Sequence, residues 1–313
     1  MTATRVAAID CGTNSIRLLV ADLDPATGEI TDLDRRMVIN RLGQGVDATG
    51  RLHPDALERT FAACREYAEV IAGYGVGPER TRFVATSASR DAENAAEFTA
   101  GVHGILGVTP QVVSGEEEAH LSFTGATKEL AGGDFKAPYL VFDLGGGSTE
   151  FVLGTQDVRA ARSVDIGCVR MTERHFAGAE VPTAGQIEAA KADVLAALDT
   201  AAEAVPLTEA ATLVGLAGTV TTVAAIALEL PAYDSQRIHH ARLSYGQVRE
   251  VTARLLAATH AERAAIPVMH PGRVDVIGAG ALVLLEIMER TGAAEVVVSE
   301  HDILDGIAWS IAR

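Results

Sequence analysis

The chain has 313 residues, of which 48% are hydrophobic and 4% aromatic, enough for about two domains of ~150 residues, each with its own core. A formal net charge of −16 argues against binding nucleic acid through the general surface. No apolar run reaches the ~20 residues of a membrane span, so no membrane association is expected; the longest candidate, 213–230, is interrupted by Gly215, Gly218 and Glu229. No signal peptide is expected either, because the first strand begins by Arg5 and carries Asp10. Cys11, Cys64 and Cys168 are widely spaced without a C-x-x-C pattern and read as reduced thiols of a cytoplasmic protein.

Residues 4–40 read as three antiparallel strands, with DPATG (24–28) as the turn between the second and third. The first connection, within VAAIDCGTNSIRLLV (6–20), runs a strand into Asp10, then through Gly12, Thr13, Asn14 and Ser15 into a second apolar strand. Residues 42–50 form a polar, glycine-containing loop. Pro54 opens a helix to about Ala72, with Leu57, Phe61, Cys64, Ala68 and Ile71 at helical spacing. A strand over 81–86 leads into SASRDAENAAEF, where Arg90 sits at a strand-to-helix corner, the place where α/β folds bind ligands. Spacing alone favours a plain surface arginine paired with Asp91 or Glu93.

A strand over 108–113 precedes SGEEEAHLSFTGATKEL (114–130). Ser114 and Glu117 make an S-x-x-E capping box, and acidic residues suit a helix N-terminus. That explains one or two of Glu116, Glu117 and Glu118 and leaves the third as a candidate general base. AGGDFKAP (131–138) reads as the linker, giving domains 1–130 and 131–313 with a hinge at the linker.

The second half opens on VFDLGGGSTEFVL (141–153), a near copy of the first motif. Asp143 ends a strand, Gly145, Gly146 and Gly147 turn the chain, Ser148 adds a hydroxyl and Glu150 starts the next strand. Three glycines bring amide donors close to a ligand, and a concave run of N–H groups binds phosphate. Two flanking carboxylates suggest phosphate handled with a divalent cation or an activated water. Strands at 138–144, 149–155 and 158–166 are followed by a mostly helical 167–202, broken near Pro182. A strand at 212–216 runs into AGTVTTVAAIA, where Gly218, Thr219, Thr221 and Thr222 make a glycine–hydroxyl corner at a helix start. QRIHHARL (236–243) is a small basic cluster: a poor metal signature, with a phosphate-contacting loop as the alternative. Helices to about 258, over 272–290 and over 302–312, and a strand at 295–299, complete a duplicated α/β architecture.

The duplicated motifs resemble the phosphate loops of the actin/hsp70/sugar-kinase superfamily, which implies two ribonuclease-H-like domains facing across a cleft. More narrowly, DCGTNS (10–15), TSASRDAEN (86–94), SGEEEA (114–119), DLGGGSTE (143–150) and GLAGTVTT (215–222) are similar to the exopolyphosphatase / guanosine pentaphosphate phosphatase (Ppx/GppA) family. The motifs come in order and span nearly the whole chain. The resemblance implies Mg²⁺-dependent removal of the terminal phosphate from inorganic polyphosphate or from guanosine pentaphosphate, by a homodimer. It places the catalytic glutamate at Glu118, with Glu117 as fallback, and phosphate-binding and metal-side roles at Asp143, Gly145, Ser148 and Glu150. It also matches Arg90 to the family's phosphate-binding arginine, and Asp10, Gly12, Thr13, Asn14, Ser15 and Arg17 to the first phosphate motif. Larger members carry a further C-terminal helical domain, not expected within 313 residues, so processivity on long chains does not follow from the resemblance.

The expected mechanism is in-line attack of water on a terminal phosphoryl group. Glu118 deprotonates the water, and Asp143, with Asp10 and Glu150, holds Mg²⁺. Amides at 12–15 and 145–148, with the Ser148 hydroxyl, cradle phosphate, and Arg90 neutralises the transferred group. A sugar- or acetate-type kinase would instead need ATP, and a non-enzymatic polyphosphate or nucleotide sensor would keep the cradles without a base.

Overall fold

The computed structural model describes residues 3–24, 29–128, 130 and 134–311. Most of the DPATG turn and the first part of the 131–138 linker lie outside them. The chain divides into two compact units, Met1–Gly125 with Ile303–Arg313, and Ala126–Asp302.

The first unit is built on β1 (Thr4–Cys11), β2 (Ile16–Leu23), β3 (Ile30–Val38), β4 (Thr81–Ala85) and β5 (Gln111–Val112). The sheet order is β3-β2-β1-β4-β5, antiparallel across β1, β2 and β3 and parallel from β1 to β5. Side chains alternate across a strand, so β1 feeds two cores. Ala7 and Ile9 pack with Phe83, Tyr67 and Phe98, under the helices Pro54–Gly73 and Ala95–Leu106. Val6 and Ala8 pack on the opposite face with Leu19, Val84 and Leu121.

That second face explains why the division differs from the expected one. The final helix, Ile303–Ile311, does not stay with the second half: Ile303, Leu304, Ile307, Ala308 and Trp309 complete the core around Val6 and Ala8. Asp305, 2% exposed, is held by Arg35 of β3 at 2.5 Å. Gly306 is required for this docking, since a Cβ there would lie 2.0 Å from the Leu121 carbonyl oxygen.

The second unit is built on β6 (Tyr139–Leu144), β7 (Thr149–Gly154), β8 (Val158–Val164), β9 (Thr212–Leu216), β10 (Arg242–Ser244) and β11 (Glu295–Val298), in the order β10-β11-β9-β6-β7-β8. β6 and β7 are antiparallel, and β6, β9 and β11 are parallel. Phe142, Phe151 and Leu153 pack against the helices Ala184–Ala202, Ala217–Ala227, Tyr245–Ala257 and Ile277–Thr291. Each unit therefore repeats an antiparallel meander followed by parallel strands, the α/β pattern expected from the duplicated motifs.

Two local expectations change. The strand over 108–113 shrinks to Gln111–Val112. Part of QRIHHARL is β10, whose Arg242 pairs with Glu295 at 2.8 Å and lies 4.9 Å from the centroid of Phe135, so this arginine is committed to the fold rather than to a phosphate-contacting loop. Gly306→Ala is expected to lower stability by about 1–3 kcal/mol through overpacking. Gly185→Ala, in a helix with nothing within 4 Å of the new methyl group, is expected to raise it by about 0.4–1 kcal/mol. Denaturant midpoints of the two variants check both signs.

Candidate active site

Both strand–Asp–Gly motifs fold as antiparallel hairpins. Asp10 is opposite Arg17 and Cys11 opposite Ile16 in the first; Asp143 is opposite Glu150 and Leu144 opposite Thr149 in the second. Each loop closes on the same hydrogen bond, from the Gly12 amide to Ser15 O at 2.9 Å and from the Gly145 amide to Ser148 O at 3.0 Å. These two amides, expected to join the phosphate cradles, are spent on closing the turns. The others are aimed by what holds their carbonyls. Thr13 O accepts from the Gly43 amide at 2.9 Å and Asn14 O from the Arg41 amide at 3.1 Å. Gly145 O accepts from the Cys168 amide at 3.0 Å and Gly146 O from the Val169 amide at 2.9 Å. Across a trans peptide, C=O and the next N–H point opposite ways. The amides of Asn14, Ser15, Gly146 and Gly147 are therefore turned away from the supporting segments, as an anion cradle requires.

The supports come very close. A Cβ on Gly43 would lie 2.2 Å from Thr13 Cγ2, and one on Gly167 would lie 2.4 Å from the Gly146 carbonyl. In the first unit the Thr13 and Ser87 hydroxyls also meet at 2.9 Å, joining the loop to the corner that carries Arg90.

The two hairpins differ in charge at one ladder position. In the first, Arg17 Nη2 lies 2.6 Å from Asp10 Oδ2, so an expected phosphate ligand and an expected metal ligand meet each other. In the second, Glu150 takes the place of the arginine. Asp143 is 7% exposed and Glu150 1%, and Ser163 donates to Glu150 Oε1 at 2.7 Å. Both carboxyl groups are oxygen donors of the kind that could hold a divalent cation, with water or substrate oxygens as its other ligands. Asp10 belongs to the other unit, and among the described residues no group of three or more His, Cys, Asp or Glu is placed to hold a metal.

The glutamate run separates cleanly. The helix Gly115–Thr127 starts after Ser114, whose hydroxyl accepts from the Glu117 amide at 3.2 Å. The Glu117 side chain, 47% exposed, pairs with Arg82 at 2.7 Å. Glu118 is 7% exposed, and its Oε2 lies 3.6 Å from Arg90 Nη1. That nitrogen also donates to Val113 O at 3.2 Å, which fixes the guanidinium at the corner. The Asp91 partner favoured by spacing is present but longer, at 3.8 Å.

A model of the Ppx/GppA phosphatase family matches residues 19–313. The chain belongs to the Ppx/GppA phosphatase family. A Mycobacterium tuberculosis protein named Exopolyphosphatase 2 is 50% identical over the whole of both chains. A crystal structure described as an exopolyphosphatase-like protein superposes with a TM-score of 0.92 at 44% identity, covering 98% of each chain. The Aquifex aeolicus member of the Ppx/GppA family superposes with a TM-score of 0.80 at 31% identity, covering 99% of this chain and 98% of that one. The α/β fold with two mixed sheets is thus the fold of Ppx/GppA crystal structures.

Within this Ppx/GppA phosphatase, Gly218 and Thr219 stand at the end of β9, where Ala217 takes a left-handed φ of 69°. Thr219 is 2% exposed, and a Cβ on Gly280 would meet its side chain at 2.6 Å. It packs inward beside Cys168 rather than opening a second hydroxyl corner. Burial pushes the Cys168 thiol up, with Arg273 and a hydrogen bond from Thr219 acting the other way. Arg273 lies directly on Gly218, where any Cβ would overlap its guanidinium. Neither Arg273 nor Arg170, whose Nε donates to Gly147 O at 2.7 Å, stood out in the sequence. Arg273 follows a Pro-Gly turn and Arg170 looks like an ordinary helical arginine; only the glycines they touch hint at them.

Gly167→Ala is expected to displace the Gly146 peptide and lower phosphate release at least ~10-fold, because ångström-scale misplacement of a catalytic contact costs up to about 10²-fold. Steady-state phosphate release beside a thermal melt would show activity falling by more than the folded fraction does.

Proposed function

We propose that this chain is an exopolyphosphatase, hydrolysing the terminal phosphoanhydride of inorganic polyphosphate and releasing orthophosphate. The end-to-end match to Exopolyphosphatase 2 carries this reading. The site chemistry supports it. Glu118, buried and set by Arg90, orients the attacking water and takes its proton. Arg90 neutralises the transferred phosphoryl group as a permanently charged, planar donor. The turned-out amides of 14–15 and 146–148 and the Ser148 hydroxyl are the donors to phosphate oxygens. Asp143 and Glu150 are the residues that would hold Mg²⁺, which when bound supplies charge neutralisation on those oxygens. Asp10, matched to Arg17, is assigned to orient that guanidinium toward substrate. No helix among the described residues is long and apolar enough to cross a membrane. A homodimer in the cytoplasm completes the reading, and sedimentation would test the dimer.

Phosphate release with Mg²⁺ from long polyphosphate, short polyphosphate and guanosine pentaphosphate tests the assignment. A general base contributes about 10²–10⁴-fold, so Glu118→Gln is expected to lose that much while Glu117→Gln stays within about threefold of wild type. Removing divalent cations with a chelator is expected to stop release. Release from the guanosine substrate alone would overturn the polyphosphate reading in favour of the pentaphosphate phosphatase. Binding without release from any substrate would point to a sensor.

A further inference from the structure

We propose that Arg170 is a positioning residue of the phosphate cradle: it fixes the Gly147–Ser148 peptide so that the Ser148 amide faces the substrate. The inference rests on reading 145–148 as a phosphate cradle.

The carbonyls of the glycine loop are clamped in succession by one short segment. The Cys168 amide holds Gly145 O at 3.0 Å, and the Val169 and Arg170 amides hold Gly146 O at 2.9 and 3.1 Å. The next carbonyl, Gly147 O, is reached by a side chain, Arg170 Nε, at 2.7 Å. One residue thus grips two successive peptide planes, the first through its backbone and the second through its guanidinium. The first hairpin needs no such device, since Asn14 O, which sets the plane before Ser15, accepts from the backbone amide of Arg41.

The plane held by Arg170 follows a residue that does little to hold it. Gly147 has no Cβ, so rotation about its bonds is sterically cheap. A flip of the Gly147–Ser148 peptide would withdraw the Ser148 amide and present a carbonyl oxygen to the anion. The Arg170 side chain is 12% exposed, so its charge sits largely out of water behind the loop. Donation from Nε to Gly147 O orients the peptide that carries the Ser148 amide. Lysine has its charge at the end of a flexible stem and no donor at the Nε position.

The test compares Arg170→Ala and Arg170→Lys with wild type on polyphosphate, with added guanidinium ion at non-denaturing concentration and ammonium as control. Loss of a fixed donor to developing charge costs about 10²–10³-fold, and a donor freed rather than removed costs less. We expect kcat to fall about 10- to 100-fold in Arg170→Ala, KM to change less, and guanidinium but not ammonium to restore part of the turnover. Arg170→Lys keeps the charge and most of the packing, and is expected to stay folded with the same kcat loss. Turnover within twofold of wild type in both variants, or a loss that follows the folded fraction and ignores guanidinium, overturns the proposal. A wild type that releases no phosphate from polyphosphate fails the functional reading separately. Calorimetric binding of inorganic phosphate then decides: weaker binding in Arg170→Lys keeps the inference, and equal binding, or no binding by wild type, overturns it.

Discussion

A peptide plane cannot aim its carbonyl and its amide to the same side. In this protein that constraint turns the amides of two glycine-containing hairpins away from the segments that hold their carbonyls. The loops supply the donors, but the direction of those donors is decided from behind, by Arg41 and Gly43 in one unit and by residues 168–170 in the other. Gly43 and Gly167 matter for the same reason: the supports must approach to distances no side chain tolerates. Such donors carry no formal charge. Under the proposed function, that suits a chain of net charge −16: oriented amides and few guanidinium groups take the place of a broad basic surface.

The duplicated hairpins have diverged at the position that determines their chemistry. Asp10 is matched across its ladder by Arg17, which leaves a nearly neutral pair. Asp143 is matched by Glu150, which sets two buried carboxyl groups opposite each other. The first arrangement orients a guanidinium, and the second is suited to a cation. Similar backbones thus carry different side-chain chemistry, and backbone similarity alone would not reveal it.

How much of this the sequence disclosed depended on the range of the interaction. The hairpins were legible because Asp, Gly and hydroxyl residues interrupt strand patterns locally, and β9 and the helix after it end where the pattern ends. Glu117 and Glu118 could not be ranked from their positions, since both occupy a helix first turn. Their difference lies in Arg82 and Arg90, which come to them from other elements. β10 was hidden because three residues inside a basic cluster give no period, and its strand character comes from pairing with β11. Arg170 was invisible because its partner is a carbonyl, and every residue has one. The boundary between units moved because an apolar helix at the C-terminus does not say which sheet it will cover.

The return of that helix bears on how the protein is made. Val6, Ala8 and Leu19 lie on a sheet face whose cover includes Ile303, Ile307 and Trp309. β1 leaves the ribosome before this cover does, because the second unit is translated between them. At about 5–20 residues per second, the nascent first unit must carry the apolar face for roughly ten seconds to over half a minute, while residues 126–302 are synthesised. The first unit is therefore the one a holding chaperone would recognise on the ribosome, and the second unit, whose core is contiguous in sequence, is the first that can finish folding.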